Sequence, residues 1–410
     1  MVLEHKKQIA VIGLGAFFLA TPLVQGVGML CFLLLFIFLA VTAGPRAMVQ
    51  QSPTVSWLLA IAYLVFVFAE LLSPNTLEES LTTVVNYLPL LVFPLALGGV
   101  RALNIDLKDL ARPIVVTMIA LGILIFVEFL FQSPPRANAN PFDSGDVNPI
   151  PFALYALLIS VAAYFLWRQS LMASWAVFIC VLVGSMLVLL SGSRGVWLTL
   201  GVVLSVTAVV ESVVLRRWVP LLVPLVAGVL GLAAVLAVPD LNQRVMQSVE
   251  ELRILSSVQM EQSSMSMRVA AWVSGYQLGW ESPIFGWGNQ DNIALASARA
   301  SVELPSFRVL SHFHNSFIDH WVMFGGMGLV AFALGAFSLP VALLLSAGRR
   351  SAPALVLAIN VALALALYSL FDRLLDSDVT SSIMLFGWLI MGLALSSQSA
   401  EKPLSADKGS

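Results

Sequence analysis

Charge is scarce in this chain. Only 11% of its 410 residues are Asp, Glu, Lys or Arg, whereas a soluble domain carries about a quarter. With 59% hydrophobic residues, that shortage excludes a water-soluble globule and a disordered chain. The net charge of −2 leaves no basic field for a polyanion, so nucleic acid is excluded as a partner. Cysteine is scarce too. Cys31 and Cys180 each lie inside an apolar run. Two such residues cannot build a zinc cluster, and a disulfide deep in lipid is disfavoured. Both read as small apolar side chains.

Long apolar runs are abundant. A helix needs about 20 apolar residues to cross the hydrocarbon. About twelve stretches suffice: 8–25, 26–43, 55–72, 83–99, 113–131, 151–167, 172–191, 195–211, 218–238, 316–346, 353–371 and 380–397. The fold class expected is therefore an all-α polytopic membrane protein. The first stretch follows Lys6 and Lys7 and resembles a signal peptide. With no clear small-residue cleavage site after it, it is read as a helix.

Basic residues set the expected orientation. Lys6, Lys7, Arg46, Arg101, Lys108, Arg112, Arg168, Arg216, Arg217, Arg349, Arg350, Lys402 and Lys408 fall at the termini and in even-numbered loops. Both termini are thus expected in the cytoplasm. The stretch 239–313, between spans nine and ten, is expected outside, since long loops cross largely regardless of their charge. The division that follows is 1–238 for spans one to nine, 239–313 for a helical outer loop, 314–398 for spans ten to twelve and 399–410 for a tail. Within the loop, Asp240 to Leu255 has helical apolar spacing. Ser264 to Leu278 predicts a second helix, closed by Glu281-Ser282-Pro283, and Gly286-Trp287-Gly288-Asn289 predicts a tight turn.

The polar groups that stand out gather at the outer ends of spans. Arg194 lies in Ser191-Gly192-Ser193-Arg194-Gly195, where two glycines interrupt an apolar stretch. Backbone amides beside a guanidinium suit an anion; the plain alternative is an arginine snorkelling at a helix end. Arg268, one turn before Trp272, is a second anion ligand or an arginine packed on a tryptophan. His312, His314 and His320 are three of the four histidines, beside Asn315 and Asp319. A histidine is the natural general base near neutral pH; the plain alternative is interfacial histidines bonded to lipid head groups. A zinc site using Asp319 is discounted, because His312 and His314 would diverge on a helix. Gly325-Gly326 would divide a re-entrant or interfacial piece from the following span, tolerated only if it is buried in protein or lines a cavity. Asp372, Arg373, Asp376 and Asp378 read as a solvated ion-pair cluster. Glu70, Glu78 and Glu79 read as solvated loop charges, and Glu128 as a possible cavity-facing group.

Taken in order, Ser191-Gly192-Ser193-Arg194-Gly195, Arg268-x-x-x-Trp272, Ser282-Pro283-Ile284-Phe285-Gly286-Trp287-Gly288 and His312-x-His314-Asn315-Ser316, followed by Gly325 and Gly328, resemble the bacterial O-antigen ligase and O-antigen polymerase superfamily. Asp146-Val147-Asn148-Pro149 resembles a weaker pattern of that family. The resemblance implies a multi-pass glycosyltransferase of the Gram-negative inner membrane with a periplasmic active site. It implies transfer of a polysaccharide from undecaprenyl diphosphate to lipid A–core, without a metal or other cofactor and with inversion. It assigns the catalytic position to His314, diphosphate binding to Arg194 and Arg268, and a second, supporting place to His312. Asn315, Asp319 and Trp272 are further supporting candidates.

Elementary chemistry agrees with that implication. Planar guanidinium forks neutralise a departing diphosphate bidentately, and a neutral imidazole accepts the proton of an attacking hydroxyl. Other readings stay open. The short loop 132–150 favours a ligase over an O-antigen polymerase. A protein O-oligosaccharyltransferase would share the same donor chemistry. A transporter or flippase of the lipid-linked glycan would need mid-membrane polar groups or paired broken helices, and spans one to five offer neither. Membrane lipids are the remaining partner.

Overall fold

The computed structural model describes residues 2–23, 26–131, 149–216, 264–299, 307–347, 352–375 and 377–400, with isolated positions between 218 and 250. Among the described residues the fold is all-helical. Expected span nine, the helix at 240–255 and the loop with Asp146-Val147-Asn148 lie largely or wholly outside them.

The helices follow the apolar runs. They are α1 (Val2–Ala20), α2 (Val27–Ala43), α3 (Pro45–Gln51), α4 (Trp57–Leu71), α5 (Leu77–Asn86), α6 (Leu88–Ala102), α7 (Leu107–Phe131), α8 (Pro149–Arg168), α9 (Ser174–Leu190) and α10 (Arg194–Leu215). After the sparse region come α11 (Ser264–Glu281), α12 (Asn292–Arg299), α13 (Ser316–Ala347), α14 (Ala352–Ser369) and α15 (Asp378–Ala400). Among the described residues, eight segments are long and apolar enough to cross a membrane, nine if the bent pair α2–α3 is one span. The chain is a multi-pass helical membrane protein. Of the twelve expected, span nine lies largely outside the described residues, and three others fall short for local reasons. Helix α1 carries Glu4, Lys6 and Lys7 in its first turns, and α2 and α9 are each 17 residues long.

Local chemistry marks the ends. Gly44, at φ +82°, stops α2, and Pro45 starts α3 at an angle of 101°. Proline suits a first helical turn, whose amides have no intrahelical partner. Thr76 and Glu79 form a reciprocal capping box on α5. Pro94 and Pro340 sit inside helices, which neighbouring helices tolerate in membrane bundles.

Helices α8 and α15 are almost wholly enclosed and form the centre. Phe152 and Tyr155 of α8 and Phe386 and Trp388 of α15 are buried there. At one end of the bundle charges pair with each other. Arg168 meets Glu211 at 2.8 Å, and Lys7 meets Asp109 at 2.8 Å.

The opposite end holds the less regular structure. Helix α13 is broken at Gly325, whose φ of +60° and ψ of −150° are non-helical. Such a break frees backbone groups that lipid cannot satisfy. The turn after α11 satisfies them. Trp287 N donates to Val322 O at 2.8 Å and Gly288 N to Met323 O at 2.7 Å. On the far side of the break, Gly326 N donates to Pro283 O at 2.8 Å and Met327 N to Ile284 O at 3.2 Å. The expected division at Gly325-Gly326 is thus present, and it is buried in protein. Close approach explains two glycines. A Cβ on Gly325 would lie 2.5 Å from the Ile284 carbonyl carbon, and one on Gly286 would run into the Met323 backbone. The motif at 282–288 is a backbone clamp on the broken helix.

Candidate active site

The site is built on the irregular segment that precedes α13. Phe313 is buried at its centre and held from two sides. Its N–H donates to Asp319 Oδ1 at 3.1 Å, and its carbonyl accepts from Trp272 Nε1 at 2.7 Å. Asn315 caps α13, accepting from Phe317 N and Ile318 N at 3.0 and 3.2 Å. Between these fixtures His314 has φ +51°, a left-handed conformation uncommon for a residue with a side chain. Asn315, Asp319 and Trp272, expected as supporting residues, all hydrogen-bond to the backbone at the 313–318 segment.

Both ring-bearing neighbours turn toward Asp372. His312 Nε2 lies 2.9 Å from Asp372 Oδ1, and His314 Nδ1 lies 3.4 Å from the same oxygen. The second contact is a close electrostatic approach rather than a well-formed hydrogen bond. The two imidazole centroids are 4.0 Å apart. The expectation that His312 and His314 diverge is overturned, because both precede the first helical residue, Ser316. With it falls the geometric reason for discounting a metal. His312, His314 and Asp372 can hold one, whereas Asp319 is engaged by Phe313 N.

Asp372 also overturns the reading of a solvated cluster. It is 2% exposed. Its Oδ1 accepts from Arg373 N at 2.9 Å, and its Oδ2 from the Tyr368 hydroxyl at 3.4 Å. Ser316 fastens this turn to α13, donating to Asp372 O at 2.8 Å and accepting from Leu374 N at 2.9 Å. Burial opposes the Asp372 charge, yet the contacts from His312 and His314 outweigh it and hold the carboxyl well below its ordinary range. Burial lowers His314 below the ordinary histidine value. The charges of His312 and Arg268 add to that lowering, and Asp372 opposes it.

The arginines reach this place from two other helices. Arg268 on α11 donates from Nη1 to Phe371 O at 3.4 Å. Helix α11 presses one face on the histidine segment through Trp272 and Gly275, since a Cβ on Gly275 would lie 2.6 Å from the Phe313 ring. Arg194 is the first residue of α10, after Gly192 at φ +64° and Ser193. The next residue, Gly195, packs on Phe371, where an added Cβ would lie 2.6 Å from the ring. Residues 371–372 thus gather Arg268, both histidines and the start of α10.

Two other polar groups belong elsewhere. His320 is fully buried, 2.6 Å from Ser316 O and stacked on Phe332, apart from the paired histidines. Glu70, read as solvated, is 1% exposed and binds Asn75 Nδ2 and, at 3.4 Å, Asn289 N. It joins the end of α4 to the turn that clamps α13. Asp372 is the functional candidate that reading by sequence missed. A signal existed: counting spans places its loop at the same end as His314, and Tyr368 stands one turn before it.

Comparison with known families identifies part of this arrangement. Residues 176–333 match the family model described as O-antigen ligase. That stretch carries Arg194, Arg268, Trp272, His312 and His314, and Asp372 lies beyond it. The resemblance read from the ordered motifs is to this family, whose members are glycosyltransferase-type enzymes acting on lipid-linked polysaccharide. No curated protein matches the chain.

Proposed function

Proceeding from an O-antigen ligase domain at residues 176–333, we propose that the chain transfers a polysaccharide from undecaprenyl diphosphate to a sugar hydroxyl of lipid A–core. The reaction takes place at the periplasmic face of the inner membrane, with both termini in the cytoplasm. The observation that carries this reading is the convergence at residues 371–372. A buried carboxylate there meets two imidazoles, and the adjoining carbonyl accepts from Arg268.

Each group has a defined task. His314 Nδ1 faces Asp372, which leaves Nε2 for substrate. As the acceptor oxygen attacks the anomeric carbon, its proton passes to Nε2. The bond from that carbon to the diphosphate oxygen breaks on the opposite side, with inversion. Undecaprenyl diphosphate leaves with the electron pair. Arg194 and Arg268 neutralise the growing charge; donors placed where charge develops are usually the largest catalytic term. Asp372 orients His314 and stabilises the imidazolium it becomes, a positioning role. A lowered His314 pKa keeps the base neutral near pH 7. The arginines do the work a divalent cation does elsewhere, so transfer needs no metal.

The test is reconstitution of the purified chain with a lipid-linked glycan and two acceptors, lipid A–core and a second glycan unit. Transfer to lipid A–core supports the ligase; transfer to the glycan alone identifies a polymerase. His314→Ala lowers transfer by about 10²–10⁴-fold, the usual share of general base catalysis. Transfer at the parental rate by a folded variant removes His314 as base.

A further inference from the structure

The side chains around Asp372 satisfy a second chemistry. One ligand atom each from His312, His314 and Asp372 lies within 4.8 Å of the others. The individual separations from Asp372 Oδ1 are 2.9 and 3.4 Å. A tetrahedral zinc ion with ligands at about 2.0–2.1 Å spaces its donors roughly 3.3 Å apart. The two separations from Asp372 Oδ1 bracket that spacing. Two imidazoles and a carboxylate are also the donor set of zinc sites that keep a fourth position open.

Neighbouring groups already orient these donors. Ser311 Oγ lies 2.9 Å from His312 Nδ1, which leaves Nε2 for the metal when Nδ1 carries the proton. The Arg373 amide and Tyr368 hydroxyl hold the two oxygens of Asp372. Outer partners of this kind fix ring tautomer and raise ligand basicity. The histidine side chains are 17% and 15% exposed, so an ion can reach them. Arg268 opposes a cation here, because its charge acts on His314. That opposition selects for an ion bound strongly by nitrogen. Magnesium and calcium, which prefer oxygen ligands, are disfavoured against zinc.

We propose that His312, His314 and Asp372 form an inhibitory zinc site. The inhibition rests on His314 being the base. Zinc takes the lone pair of His314 Nδ1, and the single remaining ring proton then sits on Nε2. The nitrogen that accepts the hydroxyl proton becomes a donor, and transfer stops. Protons compete with zinc for the imidazole and carboxylate donors, so affinity falls in acid.

The experiment uses the full chain in lipid nanodiscs, stripped with a chelator. Calorimetry with zinc chloride gives one saturable equivalent at micromolar zinc, and X-ray absorption of the zinc-loaded chain shows two imidazoles with oxygen ligands. His312→Ala loses that equivalent, and its residual transfer resists zinc. Inhibition of the parent reverses with EDTA, and EDTA alone leaves transfer unchanged or raised. No saturable equivalent, or binding undiminished in His312→Ala, overturns the site and leaves the base reading intact. Zinc held by these residues with transfer undiminished overturns the inhibition and removes His314 as base. The spectrum of the parent decides the ligands even where a variant fails to fold.

Discussion

Asp372→Asn isolates the charge that joins the two histidines. The substitution keeps the shape of a side chain that is 2% exposed and leaves an oxygen for the Arg373 amide. It removes the carboxylate from His312 at 2.9 Å and His314 at 3.4 Å. The 3.4 Å approach of His314 becomes a charged hydrogen bond only as the imidazolium forms, and such a bond contributes about 1.5–3 kcal/mol. If that contribution is realised as His314 takes up the proton, the rate falls roughly ten- to hundredfold at ~1.4 kcal/mol per decade. The pH profile supplies a second readout. Activity needs neutral His314, so transfer rises with pH through its pKa. In the parent that pKa lies below the ordinary histidine value, and Asp372 is a group that raises it. Removing the charge lowers it further, so the acid limb of kcat/KM moves to lower pH while the plateau drops. The assay is initial transfer rate across pH in EDTA, with thermal unfolding in detergent as the folding control. An undiminished plateau, or an acid limb displaced upward, refutes the positioning role of Asp372.

Two other substitutions test the remaining parts. Arg194→Lys keeps the charge and loses the planar fork; transfer falls about tenfold or more, the effect of one charged hydrogen bond. Undiminished transfer by this variant leaves Arg194 as a helix-end residue only. Gly325→Ala places a side chain where φ is +60° and ψ −150°, a region that costs on the order of 1–3 kcal/mol without glycine, and drives its Cβ against Ile284. Its unfolding temperature falls well below that of Gly326→Ala, whose Cβ lies no closer than 3.4 Å to Pro283 O; equal temperatures refute the clamp.

Helix α11 shows how much of this protein is written locally. An apolar stripe through Val269, Trp272 and Tyr276, with Glu281-Ser282-Pro283 as its stop, predicted its position, and the helix runs Ser264–Glu281. The same holds for the apolar runs of α4, α8, α13, α14 and α15, where length and composition alone imply spans. The break near Gly325 was also legible, because paired glycines in a run too long for one span mark a discontinuity. Arg194, Arg268 and His314 stood out because each is polar where the surrounding pattern is not.

Asp372 was not legible in that way. An aspartate beside an arginine and two further aspartates looks solvated, and only packing decides otherwise. Tyr368, Ser316, His312 and His314 close over it, and three of those four come from the segment at 312–316. Glu70 is the same case, buried by a turn at 286–289 that lies far along the chain.

Amino-acid order by itself determined which stretches become helices and which motifs stand at their ends, because helical period, apolar length and capping act over a few residues. Tertiary structure alone decided that His312 and His314 share one carboxylate, that Arg268 reaches the same turn, and that the 282–288 motif clamps a broken helix. Those outcomes depend on burial and hydrogen bonding between distant segments, and burial is a property of neighbours that no local pattern contains.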